Sequence, residues 1–235
     1  MSKDEFKRAL ITGHTSGLGK ALFEKLEEKG WAVTGWSIET GVDVTDEELV
    51  RQEAKEHLGR FEVVVNCAGV NYINWHEQTP IDEWDRLMNT NARSMWLVVK
   101  ELINAKRLAG DPTIVNIVSN ASHIPMTNSA AYNASKGAAH ILTLQMAREL
   151  GKTINATVFG LSPNKMKGTA MSAYIDGRVC DLRGWTPEEA ATYQAASLPA
   201  GEETDPETVA EFLSFLLSSK QRHKYLTGTI IPYGA

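Results

Sequence analysis

Short apolar runs alternate with amphipathic segments along most of this 235-residue chain. The apolar runs are rich in Val, Ile and other strand-favouring residues, and they lie at 8–12, 31–36, 61–66, 113–119, 153–159 and 227–231. Between these runs, apolar residues recur at helical spacing over 17–29, 46–57, 80–91, 92–108, 130–150 and 206–219. Strands that alternate with helices in this way predict an α/β fold with a parallel sheet covered on both faces.

Two segments depart from this alternation. Too few residues separate Trp36 from Asp43 for a full helix, so the second crossover helix is predicted to be abbreviated. A short third strand at 41–44 brings the predicted sheet to about seven strands. Residues 164–200 form a long insertion after the strand that ends near Pro163. We interpret 1–235 as one domain, in which this insertion is either a substrate lid or a surface excursion.

A turn that contains three glycines joins the first strand to the first helix. A dinucleotide phosphate requires this order, because glycine lets the backbone approach closely and the helix N-terminus supplies N–H donors. The alternative is an ordinary turn between a strand and a helix. On the first interpretation, the cofactor-binding residues of the turn are Gly13, His14, Ser16, Gly17, Leu18 and Gly19.

The end of the second strand bears on the choice between NAD and NADP. An acidic residue at this place would bind the 2′-hydroxyl of NAD, whereas this chain has Ser37. Because Ser37 leaves room for a 2′-phosphate, the sequence favours NADP slightly. Three features weaken this preference: no Arg or Lys follows Ser37, Glu39 lies close by, and His14 is the only basic candidate in the turn.

Asp43 and Val44 follow the abbreviated crossover and are expected to flank the adenine ring. Asp43 also fits a second interpretation, as a turn residue before a helix whose N-cap is Thr45. Glu48 would then complete a capping box with Thr45. Both interpretations can hold at once.

A serine, a tyrosine and a lysine are spaced to form a proton-transfer site. Tyr132 and Lys136 are four residues apart on a predicted helix, and Ser119 leaves the end of the preceding strand. Lys136 is expected to lower the pKa of Tyr132 from its ordinary value of about 10. Tyr132 can then act as acid or base on an alcohol/carbonyl pair, with Ser119 bonding the same oxygen. The alternative is a chance pair of residues on an ordinary helix.

The composition limits the partners of the chain. The formal net charge of -5 and the pI near 5.7 disfavour nucleic acid and anionic membranes. The sequence contains no long apolar run for a membrane span and no signal peptide at its start. Cys67 and Cys180 form neither a disulfide framework nor a metal motif. We therefore expect a cytoplasmic protein that acts on a small molecule without a metal.

Together these motifs resemble the short-chain dehydrogenase/reductase family over nearly the whole chain. Residues 12–19 resemble its TGxxxGxG cofactor motif, and Asn66-Cys67-Ala68-Gly69 resembles its NNAG motif with Cys67 for the second Asn. The resemblance implies a Rossmann-like, doubly wound sheet and an NAD(P)-dependent oxidoreductase that interconverts a secondary alcohol and a ketone. The further cofactor contacts that it implies are Asn66, Ala68, Gly69, Tyr132, Lys136, Pro163 and Thr169.

The same resemblance implies the catalytic roles. Asn91, Ser119, Tyr132 and Lys136 match the Asn-Ser-Tyr-Lys set of the family. Tyr132 is then the general acid in reduction and the base in oxidation, and Ser119 polarises the carbonyl. Lys136 binds the nicotinamide ribose, and Asn91 holds a water that links Lys136 to solvent.

Two residues depart from the family pattern, and two other functions remain open. Asn164 stands where the family has Gly after Pro163, and Thr169 is slightly offset from the Thr that contacts the carboxamide. The same fold can serve a redox-silent dinucleotide-binding regulator, and epimerases that act on sugar nucleotides share YxxxK. By resemblance we also expect a homo-oligomer, a dimer or tetramer, formed through the helices at 92–108 and 130–150.

Overall fold

The computed structural model describes residues 7–234. Within these residues, one parallel sheet has six strands in the spatial order β2-β1-β3-β4-β5-β6. The strands are β1 (Arg8–Thr12), β2 (Ala32–Trp36), β3 (Phe61–Asn66), β4 (Leu108–Ile117), β5 (Thr157–Pro163) and β6 (Ile230–Tyr233). Because β2 and β3 lie on opposite sides of β1, the winding reverses at β1 and β3. A crevice for a ligand is expected there, at the carboxyl ends of the strands.

Helices cover both faces of this sheet, so the predicted doubly wound α/β fold is confirmed. The helices are α1 (Gly17–Glu28), α2 (Glu47–Glu56), α3 (Ile81–Met88), α4 (Ser94–Asn104), α5 (Ala130–Thr153), α6 (Ala170–Arg183), α7 (Pro187–Ser197), α8 (Pro206–Leu217) and α9 (Lys220–His223). One face packs against α1 and α8, and the other packs against α2, α4 and α5. Between residues 7 and 234, no helix combines the length and the apolar character that a membrane span needs.

The alternation of side chains along the strands explains this two-sided core. On β1, Ala9 and Ile11 face α1 and α8, whereas Leu10 faces α2, α4 and α5. On β3, Val63 and Val65 point to the first layer in the same way. Because both faces of the central strands are buried, their sequences are continuously apolar, as is typical of parallel sheets.

The short third strand expected at 41–44 does not form, which leaves six strands. Gly41 adopts a left-handed conformation, with a φ of 90°, and turns the chain. The Asp43 carboxylate then accepts hydrogen bonds from the backbone N–H and the hydroxyl of Thr45, both at 2.8 Å. Such a turn bends the backbone away from extended pairing. Val42 and Val44 are nevertheless buried in the core cluster that contains Trp36.

Several predicted boundaries also differ from the structure, among them those of β4 and β6. The N-cap of α2 is Asp46 and not Thr45, since the Asp46 carboxylate accepts from the backbone N–H of Glu48 and Leu49 at 2.9 and 3.0 Å. The strand expected at 153–159 instead spans Thr157–Pro163, because α5 continues to Thr153.

His223 is a buried side chain that joins α9 to α8 and β4. Its Nδ1 lies 2.9 Å from the carbonyl of Leu216, and its Nε2 lies 2.9 Å from the Thr113 hydroxyl. A carbonyl can only accept, so Nδ1 carries the proton and Nε2 accepts from Thr113. Burial lowers the pKa of His223 below its ordinary value. The fold therefore holds this imidazole in its neutral form.

The free energy of unfolding is expected to fall as the pH drops from about 7 to about 5, because the unfolded histidine, with a pKa of about 6.5, binds a proton that folded His223 resists. This contribution is complete above the unfolded pKa and is lost below it. His223→Gln should flatten the pH dependence and cost about 1–3 kcal/mol at neutral pH. Urea unfolding at both pH values measures the effect. His76→Gln, at an exposed position, is the control, and a wild-type slope in His223→Gln would contradict the assignment.

Candidate active site

The end of β4 and the start of α5 bring the expected proton-transfer residues together. Ser119 follows β4 in an extended conformation, and its Oγ accepts a hydrogen bond from the Ala121 N–H at 3.2 Å. Tyr132 lies in the first turn of α5, and Lys136 lies one turn later. Lys136 Nζ donates to the carbonyl of Ile117 at 3.0 Å and lies 5.9 Å from the centre of the Tyr132 ring. The two side chains share one face, as the sequence predicts.

Burial controls the protonation of this site. Tyr132 and Lys136 are 8% and 5% exposed. Burial raises the pKa of Tyr132, and a hydrogen bond with Ser119 opposes this rise. Burial also lowers the pKa of Lys136 to about 8. The structure therefore differs from the expectation that Lys136 lowers the pKa of Tyr132, because the loss of solvation is the largest effect on the phenol and the effect that opposes it comes from Ser119.

A bend between α3 and α4 positions Asn91. Residues Asn89–Arg93 form a π-helical turn, a distortion that is frequent at functional sites. The fully buried amide of Asn91 accepts from the Val70 N–H at 2.8 Å and donates to the Val70 carbonyl and to Ser135 Oγ, both at 2.9 Å. Asn91 therefore clamps the segment after β3 against α5. Sequence reasoning missed Ser135, since a serine inside a helix carries no specific signal.

Gly69 lies close to both the Asn91 amide and the Lys136 ammonium. A Cβ atom at Gly69 would lie 3.4 Å from Asn91 Oδ1 and 3.6 Å from Lys136 Nζ. Both polar groups therefore border the space in front of this glycine. The water expected between Asn91 and Lys136 stays a prediction.

The glycine turn lies at the end of β1, beside the end of β3. Gly13 has a φ of 68°, and a Cβ there would lie 2.7 Å from Ala68 Cα. A Cβ at Gly19 would lie 2.1 Å from the carbonyl oxygen of Gly13. Thr12 Oγ1 accepts from the N–H groups of Cys67 and Ala68, both at 3.0 Å. Because Gly13 and Gly19 have no side chains, the backbone of the turn is accessible at close range. A phosphate can therefore approach its N–H groups closely.

The start of α1 offers backbone groups to this turn. Ser16 precedes the helix in an extended conformation without a side-chain cap, and the side chain of Leu18 is buried in the core. Leu18 can therefore contribute only its backbone N–H, whereas the exposed Ser16 can contribute its N–H and its hydroxyl. Gly17 has a φ of 51°, and its absent Cβ would lie 3.6 Å from Thr169 Cγ2. The structure thus brings Thr169 next to the glycine turn.

A carboxylate occupies the end of β2, where the sequence places Ser37. The Glu39 carboxylate accepts from Ser37 Oγ at 2.6 Å and from Thr15 Oγ1 at 2.9 Å. The pKa of Glu39 is lowered, mainly by the hydrogen bond from Ser37. His14 packs against Gly35, where a Cβ would lie 2.2 Å from its ring, and its Nδ1 is buried without a partner in the described residues. Sequence reasoning noted Glu39 but missed Thr15.

Asp43, Val44 and Asn66, which are also expected to contact the cofactor, make contacts within the fold. One Asp43 oxygen is committed to Thr45, as described above, and Val44 is buried in the core. Asn66 Nδ2 donates to Asn116 Oδ1 at 2.8 Å, which joins the ends of β3 and β4. Asn66 Oδ1 is buried and has no partner within residues 7–234. Asp43 is therefore a turn residue, but the capping box expected from Thr45 and Glu48 does not form, because Asp46 caps the helix. A contact of Asp43 with adenine stays a prediction.

The segment after β5 differs from the family pattern at Asn164. Pro163 ends the strand, and Asn164 Nδ2 donates to the Gly234 carbonyl at 2.8 Å. Thr169 is the N-cap of α6, and its Oγ1 accepts from the Ser172 N–H at 3.0 Å. Asn164 thus gains a bond to the end of the described chain that glycine cannot make.

Comparison with known proteins shows where this site belongs. The family model described as enoyl-(acyl carrier protein) reductase matches residues 15–233. The chain belongs to the short-chain dehydrogenase/reductase family. It is therefore a short-chain NAD(P)-dependent dehydrogenase/reductase with a Rossmann-type fold.

Three relatives show how broad this family is. The 3-oxoacyl-(acyl-carrier-protein) reductase of Vibrio cholerae is 28% identical over 247 residues, covering 95% of this chain and 94% of its own. The structure of xylitol dehydrogenase with bound NAD⁺ has a TM-score of 0.87 at 25% identity and covers 100% of both chains. A variant of actinorhodin polyketide ketoreductase with NADPH has a TM-score of 0.86 at 25% identity, covering 99% and 97%. These findings support a nicotinamide dinucleotide and leave its type open.

The residues of this short-chain dehydrogenase/reductase fit such a cofactor. The backbone of Gly13 and Gly19 is packed where side chains would collide, and the Lys136 ammonium borders the space in front of Gly69. Cys67, which replaces an Asn of the family pattern, is a partly buried thiol whose pKa is raised to about 12 by the loss of solvation. It therefore adds no charge to the site.

Proposed function

We propose that this enzyme interconverts a secondary alcohol and a ketone, with Tyr132 as the general acid in reduction and the general base in oxidation. The supporting observation is a buried phenol with a raised pKa that shares one site with Ser119 and Lys136. A phenol that stays protonated at neutral pH can deliver its proton to a developing alkoxide. The bound nicotinamide dinucleotide supplies or accepts the hydride.

The other three residues support the proton transfer. Ser119 donates a hydrogen bond to the substrate oxygen and stabilises the charge that develops there. Lys136 stabilises the phenolate left on Tyr132 and binds the nicotinamide ribose. With a pKa of about 8, Lys136 can itself exchange protons near neutral pH. Asn91 holds the segment at Val70 in place and orders the water that returns a proton to Lys136.

Turnover with a panel of ketones tests this proposal. The panel should include ketoses and 3-oxoacyl thioesters, each with NADH and with NADPH. We expect oxidation of the reduced nicotinamide with at least one ketone. Cofactor binding without turnover of any ketone would contradict the proposal and favour a redox-silent regulator. Redox-neutral conversion of a sugar nucleotide would favour an epimerase.

For the cofactor, we propose NAD. The preference for NADP expected from Ser37 stays a prediction, but the carboxylate of Glu39 favours the opposite choice. Held by Ser37 and Thr15, it is close to the position expected for the 2′-substituent of the adenosine ribose. A carboxylate can accept a hydrogen bond from the 2′-hydroxyl and repels a 2′-phosphate. The His14 ring packs against Gly35, so it is poorly placed to offset this repulsion.

Glu39→Gln is expected to narrow the preference for NADH over NADPH by about tenfold or more, because it removes the negative charge while keeping the shape of the side chain. Titration of nicotinamide fluorescence gives both dissociation constants. Glu27→Gln, at an exposed position of α1, is the control and should leave the ratio unchanged. Tighter binding of NADPH than of NADH by the wild type would overturn the proposal and restore the interpretation of Ser37.

The small-molecule substrate and the assembly are proposed on separate grounds. Residues 164–200 form α6 and α7, and we assign them as the substrate lid of the single domain. Trp96 on α4 is 45% exposed and Ile141 on α5 is 64% exposed, which favours a homo-oligomer, dimer or tetramer, that covers these two helices. A cytoplasmic location stays a prediction.

A further inference from the structure

The side chain of Lys165 contacts several segments of the insertion near the end of β5. It lies two residues after the strand, and its side chain is 13% exposed. Its Nζ contacts the carboxylate of Asp176 on α6 and the amide oxygen of Gln194 on α7, and it lies 2.6 Å from the carboxylate of Glu203. The three acceptors belong to three different segments of the chain. We call these four residues the lysine hub.

The hub depends on the charge of Lys165. Gln194 Nε2 also donates to Asp176 at 2.6 Å, which ties two of the acceptors together, and Ser172 Oγ on α6 donates to Glu203 at 3.0 Å. Among the ion pairs of residues 7–234, Lys165 is the only cation that contacts Asp176 or Glu203. Removing the ammonium would leave the partly exposed carboxylates of Asp176 and Glu203 near each other without a counter-charge, which weakens the contacts between their segments.

The base of the insertion is held by different contacts. The Thr204 N–H donates to the Lys165 carbonyl at 2.9 Å, and the Lys167 N–H donates to the Thr204 carbonyl at 3.0 Å. These backbone bonds do not require the side chain of Lys165. A change of that side chain therefore affects the position of α6 and α7 more than the fold beneath them.

The first helix of the insertion reaches the active site. Tyr174 on α6 accepts a hydrogen bond from the Ile73 N–H at 3.3 Å. Ile73 lies in the segment after β3 that Asn91 clamps at Val70. About one turn before Tyr174, the N-cap of α6, Thr169, lies beside the glycine turn. The position of α6 therefore determines where this helix borders the site, and it also determines whether Tyr174 contacts the segment after β3.

We propose that Lys165 is a positioning residue for the substrate: the lysine hub keeps α6 and α7 closed over the site, so that Tyr174 docks on Ile73. This inference rests on the proposed function, since it requires that the insertion closes over a ketone or alcohol. When the hub is broken, the closed form is a smaller fraction of the enzyme. The apparent affinity for the substrate falls in proportion to the fraction of enzyme that is closed, while turnover of the closed complex persists.

Lys165→Met is expected to raise the KM for the ketone about tenfold and to change kcat by about twofold or less. The dissociation constant for NADH should stay within about twofold of the wild type, because the glycine turn and the base of the insertion up to Thr169 are held by contacts that do not use the side chain of Lys165. Lys165→Arg should recover most of the KM, since it restores the charge. The matched control is Lys167→Met, because Lys167 also lies at the base of the insertion but pairs with Asp205 at 3.0 Å and is 55% exposed.

Trypsin provides a readout that needs no activity. Arg178 and Arg183 lie on α6, and cleavage after them requires that this helix opens. Lys165→Met should accelerate this cleavage about tenfold relative to Lys167→Met. Tyr174→Phe removes the hydroxyl that accepts from the Ile73 N–H. This substitution should raise the KM for the ketone while leaving the lysine hub intact.

A wild-type KM in both Lys165→Met and Tyr174→Phe would overturn the proposal, even if Lys165→Met lowers the melting temperature. Equal trypsin cleavage in Lys165→Met and Lys167→Met would overturn it as well. If the wild type turns over no ketone, the proposed function fails, and the cleavage rates alone decide whether the hub closes the insertion.

Discussion

Replacing Tyr132 by Phe is expected to lower kcat about 1000-fold, because general acid catalysis contributes about 10²–10⁴ and the substitution removes the group that donates the proton. The substitution removes only the hydroxyl, and the ring keeps its place among Leu87, Ala121 and Ala131. NADH binding should therefore stay within about twofold of the wild type. Single-turnover reduction of a ketone, followed by nicotinamide absorbance, measures the chemical step directly.

The control for this substitution is Tyr225→Phe, since Tyr225 is 82% exposed and outside the site. It should retain wild-type turnover. Wild-type activity in Tyr132→Phe would exclude Tyr132 as the acid and leave Ser119 or solvent as the proton source. Loss of NADH binding would instead show that the phenol holds the cofactor rather than the proton.

The expected layout of this site could be predicted from the sequence because each part depends on local spacing. Tyr132 and Lys136 share a helical face at four residues apart, and the strand before Ser119 is a continuous apolar run. The glycine turn was predicted for the same reason, since a strand, three glycines and a helix follow one another directly. The structure brings these parts to the carboxyl ends of β1 and β4, which lie on either side of β3 and point the same way in the parallel sheet.

Features that depend on contacts distant in the sequence could not be predicted. Thr15 donates a hydrogen bond to the Glu39 carboxylate from 24 residues away, and no local pattern indicates that pairing. The lysine hub likewise joins Lys165 to Gln194 and Glu203. The six-stranded sheet has no strand at 41–44 because Asp43 bonds Thr45 locally, a choice that alternation of apolar residues does not reveal.

The pKa of Tyr132 illustrates the same limit in energetic terms. The sequence shows that a lysine can lie near the phenol, which favours the phenolate. It does not show how completely the surrounding helices exclude water. In the structure the cost of burying the charge is the larger effect, so the pKa rises. Local spacing predicted which groups meet, and tertiary packing determined their protonation.

Gly19→Ala is expected to weaken NADH binding about 100-fold or more, because a displacement of about 1 Å in positioning groups can cost that much. The added Cβ would lie 2.1 Å from the carbonyl oxygen of Gly13 and 2.8 Å from its carbonyl carbon. Both are backbone atoms, so no flexible side chain can move aside. The glycine turn must therefore shift away from α1, which changes the backbone that receives the phosphates. The fold should also lose about 1–3 kcal/mol of stability through overpacking.

Fluorescence titration with NADH and a urea melt separate these two effects. The control is Gly110→Ala, since Gly110 is exposed on β4 and a Cβ there would meet nothing within 4 Å. It should leave both NADH binding and stability near the wild-type values. A folded Gly19→Ala protein with wild-type affinity would show that the phosphates do not lie on this turn. A folded protein that no longer binds NADH would instead identify the turn as the phosphate site, since α1 would still be in place while its approach to the cofactor is lost.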